Sequence, residues 1–227
     1  MGEKVKVIEV HESIFSANTK TADETRRLLK ENGTFMVNVM SSPGSGKTTL
    51  LSSLINMMKN DLRIGEMDVD IDSSVDAQKV QDKTGIRTMQ IHNGGLCHID
   101  AGMTSSAIKE YGIDGLDLLI LENIGNLVCP AEFDTGAHEN IMLLSVPEGD
   151  DKPLKYPLMF SICSLVIITK IDTISYFDFD FAKAEGRIHE LNPFAKVIRV
   201  SAKTGEGMEQ LVEYFKTKVK KLKYSHL

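Results

Sequence analysis

The chain is 227 residues long and carries 26 Lys and Arg against 32 Asp and Glu, a formal net charge of -6. A chain of that size can bury a real core as one domain, and its acidic balance excludes a general nucleic-acid or anionic-membrane surface, which would need clustered cations. Its most apolar stretch, residues 157–170, is shorter than the ~20 residues that cross a bilayer and is broken by serines, and the start MGEKVK lacks a secretory leader's pattern, so the sequence points to a cytoplasmic protein.

Residues 1–34 read as an N-terminal helical extension and 35–227 as one domain. In the extension, Thr21 and Glu24 stand at capping-box spacing and Asn32-Gly33 is a helix stop, which predicts a helix over 21–31 packed on a sheet edge. The first apolar run, 35–40, predicts a strand, and SSPGSGKTT follows it. A strand, a glycine-rich turn and a helix opening at Lys47 make a phosphate-binding loop. Backbone N–H groups across Gly44, Ser45, Gly46, Lys47, Thr48 and Thr49 face the phosphates, the Lys47 ammonium reaches the β and γ oxygens, and Thr48 ligates magnesium. Ser41 stands where the general pattern has its first glycine.

A helix over 47–60 and a strand over 64–71 come next. The acidic run DVDID supplies Asp68, Asp70 and Asp72, alternate residues that share a strand face. One of them is expected in the magnesium shell, with Asp70 preferred, although acids at strand ends are commonly just solvated.

After a helix over 75–84 and a strand over 87–92 comes GGLCHID. Cys97 beside His98 admits three readings: packing residues, a nucleophile with its base, or ligands of a soft metal ion. Adjacent side chains are badly placed for proton transfer, which sets the second aside. Thiolate and imidazole suit zinc, nickel or copper, and Cys129 is a third soft donor. In a parallel sheet the loops after 92 and 123 open onto the same carboxyl edge, so the three can meet. On these residues alone, packing and metal ligation both stay open. Three scattered cysteines make a poor disulfide framework.

A helix over 100–111 leads to a strand over 116–123 that ends in Glu122, with Gly125 three residues on. This is the spacing of the Asp-x-x-Gly of small G proteins, so Glu122 is the candidate acid for the metal-bound or attacking water. Strands over 140–148, 164–170 and 195–202 follow, with helices over 178–191 and 206–222. In VIITKID, Lys170 and Asp172 have the spacing of a guanine-selecting motif, with Thr169 where Asn is commoner. The Asp172 carboxylate can accept from guanine N1–H and the 2-amino group, donors that adenine does not offer there. One strand later VSAKTG, with Ser201, Ala202 and Lys203, resembles the second guanine loop. Together behind a phosphate loop they favour GTP over ATP. Cys163, inside an apolar run, reads as core, and the basic run 216–224 suits the end of a final helix.

Strands alternating with helices imply βαβ units, and strands apolar on both faces imply a sheet covered on both sides. The expected fold class is α/β: a single P-loop GTPase domain with a mostly parallel, roughly seven-stranded sheet and helices on both faces.

The stretches SSPGSGKTT, GGLCHIDAGM, LILENIGNLVCPAEFD, LLSVPEGDDKPLKYP and TKIDT, in this order across most of residues 35–175, closely resemble the HypB family, the nickel-inserting GTPases of nickel-iron hydrogenase maturation. The resemblance implies a GTP-hydrolysing nickel metallochaperone in which Cys97, His98 and Cys129 bind nickel or zinc at a dimer interface, and it places the family's aspartate on Asp70. It implies GTP, Mg2+ and Ni2+, with Zn2+ as the alternative ion, and a homodimer promoted by GTP or metal. Its partners would be a hydrogenase maturation accessory protein and the hydrogenase large subunit, with no nucleic acid and no membrane. Glu122 and Cys129 share one short segment, so the metal site should follow the nucleotide state. No arginine is assignable as a finger, so hydrolysis by the chain alone should be slow. Some members carry an N-terminal cysteine motif or a histidine-rich tract, whereas residues 1–34 here hold no Cys and only His11. The rivals are a urease-type nickel GTPase, whose Cys-Pro-His motif is absent here, and a metal-free G-protein chaperone of a partner enzyme.

Overall fold

The structure is a computed structural model and describes residues 10–70 and 75–224. Asp72, one of the three acids of the DVDID run, lies outside the described residues. In chain order the elements are α1 (Val10–Glu31), β1 (Phe35–Ser41), α2 (Lys47–Met58), β2 (Ile64–Asp70), α3 (Val75–Thr84), β3 (Arg87–His92), α4 (Ala101–Tyr111), β4 (Leu118–Gly125), α5 (Cys129–Glu132), β5 (Glu139–Ser145), α6 (Lys152–Lys155), α7 (Pro157–Ser161), β6 (Leu165–Thr169), α8 (Phe181–Leu191), β7 (Lys196–Arg199) and α9 (Met208–Tyr224). Short 3-10 turns follow β5 and β6.

The seven strands form one sheet in the order β3-β2-β4-β1-β5-β6-β7, and every pair is parallel. β1 is central and all seven of its residues are buried, as its two-sided apolar sequence requires. Alternate residues serve opposite layers. Val37 and Val39 join Leu54, Ile55 and Phe215 beneath α2 and α9, while Met36 and Met40 face the opposite helices with Leu29, Ile108 and Phe160. Truncating one of these fully buried side chains to Ala should cost about 2–5 kcal/mol.

The N-terminal helix is twice as long as its sequence signal suggested. Thr21 does not cap it; the Thr21 hydroxyl donates back to the Ala17 carbonyl, and Thr19 and Thr25 do the same one turn behind themselves. A threonine that satisfies its hydroxyl on the preceding turn sits in a helix interior without opening it. The stop is where Asn32-Gly33 puts it: Gly33 has φ 70, with Thr34 N donating to Leu29 O and Gly33 N to Lys30 O. α1 lies along α4 and reaches β1, away from the sheet edge, driving Leu29 into the core.

Other boundaries moved for local reasons. β5 ends at Ser145 because Ser145 and Glu148 form a capping box around Pro147. The apolar stretch from 157 splits into a turn of helix, α7, and then β6, because Pro157 pre-sets a helical start and Met159 and Phe160 pack inward. The basic C-terminal run is more than a helix end: Lys216 pairs with Asp61, Lys218 with Glu139 and Lys223 with Asp117, which ties α9 to the amino-terminal side of the sheet.

Candidate functional site

The phosphate loop leaves the carboxyl end of β1 and enters α2 through Gly46, whose φ of 97 only glycine adopts without strain. No side chain caps α2, so the first N–H groups of the helix point into the loop. Ser41 has a role that explains its place in the pattern. Its buried Oγ accepts from Ser45 Oγ at 2.7 Å and from Lys47 Nζ at 3.0 Å, and donates to Ser42 O. A glycine there could not organise the loop in this way.

Around the loop lies a cavity of about 620 Å³ lined by Gly44 to Thr49, by Asp68, Asp70 and Asp76, by Glu122 to Gly125, and by Lys79, Lys83 and Lys170. Thr48 Oγ1 donates to Glu122 Oε1 at 3.0 Å. Glu122 on β4 stands in register with Asp68 on β2, so the two carboxyls share a face at the mouth of α2. Glu122 Oε2, Asp68 Oδ2 and both oxygens of Glu66 are buried without a protein partner. Burial pushes Glu122 up to about 7 against the pull of Lys47, and pushes Asp68 up to about 6 with help from Asp76. Glu66, fully buried two residues before Asp68, is pushed up to about 9 by burial first and by Glu122 next.

Glu122 Oε1 accepts from the Thr48 hydroxyl, while Glu122 Oε2 and Asp68 Oδ2 are buried acid oxygens without a donor; hard oxygens of this kind suit a divalent cation, so the residues fit magnesium. Asp70 ends β2, half-buried at the cavity wall, one period beyond Asp68. Glu66, Asp76, Lys79 and Lys83 were not singled out from the sequence. Glu66 had a usable signal, the period-two series Glu66, Asp68, Asp70 on one strand face; the two lysines lie on a helix with no local mark.

The residues expected from the sequence to meet guanine also converge. Thr169 Oγ1 donates to Ser45 O at 3.0 Å, so the threonine ties β6 to the phosphate loop. Lys170 has φ 58, and its Nζ donates to Gly44 O at 2.7 Å, laying its stem across the loop. Asp172 Oδ1 accepts from Ser201 Oγ at 2.7 Å, and Ser201 Oγ accepts from Thr204 N, joining the loops after β6 and β7. Ala202 is half-buried and Lys203 exposed beside them.

The soft side chains lie further along the same rim. Gly94 (φ 70) and Gly95 (φ 85) turn the loop after β3, and Asn93 Nδ2 donates to Leu96 O and His98 O to hold it. Cys97 Sγ lies 2.7 Å from Cys129 Sγ, longer than a disulfide bond. The Cys129 thiol beside it raises Cys97 above the usual thiol range. His98 Nδ1 is 3.9 Å from Cys97 Sγ, while its ring stacks on Phe133 with centroids 3.8 Å and planes 10° apart. The two sulfurs and the imidazole are thus neighbours, yet among the described residues no group of three His, Cys, Asp and Glu closes into a metal cage. Asn126 Nδ2 donates to Cys97 O, linking the two loops. Cys163 is core: fully buried, its thiol donating to Met159 O.

The two halves of the rim are joined by the exit of β4. Gly125 lies against Pro43 of the phosphate loop, and Cys129 opens α5 four residues later.

The nucleotide-binding domain of the CobW/HypB/UreG family matches residues 35–199. The chain is 42% identical over 204 residues to the hydrogenase maturation factor HypB of Rhizobium leguminosarum bv. viciae, covering 90% of this chain and 68% of that protein. Among solved structures, HypB from Helicobacter pylori in complex with nickel superposes with a TM-score of 0.84 at 37% identity, covering 90% of this chain and 96% of that one. The hydrogenase maturation factor HypB from Archaeoglobus fulgidus gives 0.83 at 35% identity, with 90% and 99% covered.

Proposed function

As the chain belongs to the HypB family of hydrogenase maturation factors, within the CobW/HypB/UreG nucleotide-binding domains, we propose that it hydrolyses GTP to GDP and phosphate and carries nickel for hydrogenase maturation. The observation that carries this reading is the course of β4. Its Glu122 accepts from Thr48 at the phosphate end, and the chain that leaves it delivers Cys129 to Cys97.

In this reading Lys47 and the N–H groups from Gly44 to Thr49 bind the phosphates, and Lys170, Asp172, Ser201, Ala202 and Lys203 bind guanine. Thr48 and Glu122 hold magnesium together with an aspartate of β2. Asp70 is the expectation from sequence, and the register of Asp68 with Glu122 supports Asp68 as a further candidate for that shell. When bound there, magnesium would supply positive charge to offset that of the phosphates. Glu122, beside Thr48 and within reach of the Lys47 charge, is the acid placed to hold the metal-bound or attacking water. No arginine lines the cavity among the described residues, in keeping with slow hydrolysis by the chain alone.

Nickel is the cargo, taken by Cys97, His98 and Cys129; zinc suits the same donors. Three ligands leave a coordination position open or shared across a two-fold axis, and exposed Leu96 and Val128 flank the two cysteines as an apolar margin for a homodimer. The maturation accessory protein and the hydrogenase large subunit are the partners that the family implies, in a cytoplasm that keeps both thiols reduced. No described helix is long and apolar enough to cross a membrane.

The test is equilibrium dialysis with nickel, with and without a non-hydrolysable GTP analogue, on the unsubstituted chain and on Cys97→Ala and Cys129→Ala. Stoichiometric binding lost in both variants and altered by nucleotide is expected. Binding that survives both substitutions would overturn the carrier assignment.

A further inference from the structure

The imidazole of His98 is held by a neighbour whose role nothing in the reaction explains. Its ring lies face to face on Phe133, 3.8 Å between centroids and 10° between planes. A ring nitrogen ligates a cation through a lone pair in the ring plane, so a face-stacked imidazole can still ligate, but only to an ion lying in the plane that the stack defines. In that plane Nδ1 is the nitrogen that looks toward Cys97 Sγ, 3.9 Å away.

Phe133 is itself held from α1. Phe15 meets it with centroids 5.6 Å and planes 31° apart. Asn18 bridges both cysteine-bearing loops: its Oδ1 accepts from Ala101 N, three residues after His98, and its Nδ2 donates to Asp134 O, next to Phe133. The loops after β3 and β4 therefore meet not only at their sulfurs but also through a clamp made by one helix.

We propose that Phe133 is the positioning residue of the nickel site. By stacking on His98 it fixes the plane of the imidazole and presents Nδ1 to the ion between the two sulfurs, and α1 holds Phe133 there through Phe15 and Asn18. The inference rests on the carrier reading above and adds to it the residue that orients the third ligand. Groups that orient a ligating histidine are worth about 10–100-fold in metal affinity.

The experiment is nickel affinity by chelator competition, with the visible ligand-field spectrum of the bound ion, on the full chain. Phe133→Leu keeps bulk and loses the flat face, and it should weaken nickel about 10–100-fold and shift the ligand-field bands toward those of His98→Ala. Phe133→Tyr keeps the face and should retain affinity within about threefold. In the His98→Ala background Phe133→Leu should cost nothing more, because its action runs through the ring. Far-ultraviolet circular dichroism and the melting temperature, taken without nickel or nucleotide, report folding; should Phe133→Leu fail that control, Asn18→Ala replaces it and is expected to shift the bands the same way. Nickel held as tightly by Phe133→Leu as by the unsubstituted chain, or a further loss in the His98→Ala background, overturns the inference. Failure of the unsubstituted chain to bind nickel through its cysteines overturns the carrier reading, and this inference with it.

Discussion

Gly125 lies so close to Pro43 that a Cβ on it would come within 3.1 Å of the proline nitrogen and Cα. The segment that leads to Cys129 therefore packs closely on the phosphate loop, so a shift of one is expected to press on the other. Gly125→Ala is expected to push the two apart, at the ~1–3 kcal/mol typical of overpacking a tight contact. Weaker GTP binding and loss of the nucleotide's effect on nickel affinity should follow together, measured by titrating each ligand in the presence of the other. A variant that binds GTP normally and keeps its nickel response would show that this contact does not carry the coupling.

Glu66 makes the stability of the nucleotide-free chain depend on pH. Its folded value of about 9 lies above the ordinary carboxylate value of 4.5, so its stabilising contribution is complete below pH 4.5 and disappears as pH rises through 9. Glu122, at about 7, adds to the same trend at the lower end. Thermal unfolding between pH 7 and 9 should give a melting temperature that falls as pH rises. In Glu66→Gln, which keeps the shape and cannot ionise, most of that fall should vanish, a difference on the order of a few kcal/mol at pH 9. Equal slopes for the two proteins would mean that Glu66 does not ionise in this window.

Asp172, oriented by Ser201, is the group expected to choose the base. Asp172→Asn replaces an acceptor with a partial donor, and should lower GTP affinity about 100-fold or more. Xanthosine triphosphate, whose 2-oxo group accepts where guanine donates, should gain on the variant. Competition binding with the two nucleotides checks this; unchanged preference for GTP would move the guanine contact elsewhere.

The sulfurs of Cys97 and Cys129 need little movement to join. A mild thiol oxidant should link them, removing two of the three free thiols while buried Cys163 stays reduced. Thiol titration and peptide mass under non-reducing conditions would show it. Nickel added first should protect the pair, and the linked protein should bind GTP but no nickel. Oxidation that proceeds at the same rate in the presence of nickel would argue against shared ligation.

Much of the nucleotide side was legible because it is written in neighbouring residues. A phosphate loop uses consecutive N–H groups at the start of a helix, so SSPGSGKTT declares itself. Lys170 and Asp172 sit two apart on one turn, and strands buried on both faces announce themselves by unbroken apolar runs. Thr21 and Glu24 misled because capping-box spacing also occurs inside a helix whose threonines bond to the turn behind them. The pairing of Asp68 with Glu122 could not be read, since Asp68 and Asp70 share a face and only the register of β2 on β4 says which lies opposite.

Local spacing and apolar period suffice for the α/β class, the parallel sheet, the phosphate loop, the two loops expected to meet guanine, and which soft side chains stand at the carboxyl edge. What lies across from what comes only from the packed chain: Glu122 beside Thr48, Gly125 on Pro43, Lys218 with Glu139, and His98 against Phe133. Those pairings arise from strand register and helix packing between segments far apart in the chain, and no local pattern encodes the depth at which one side chain meets another.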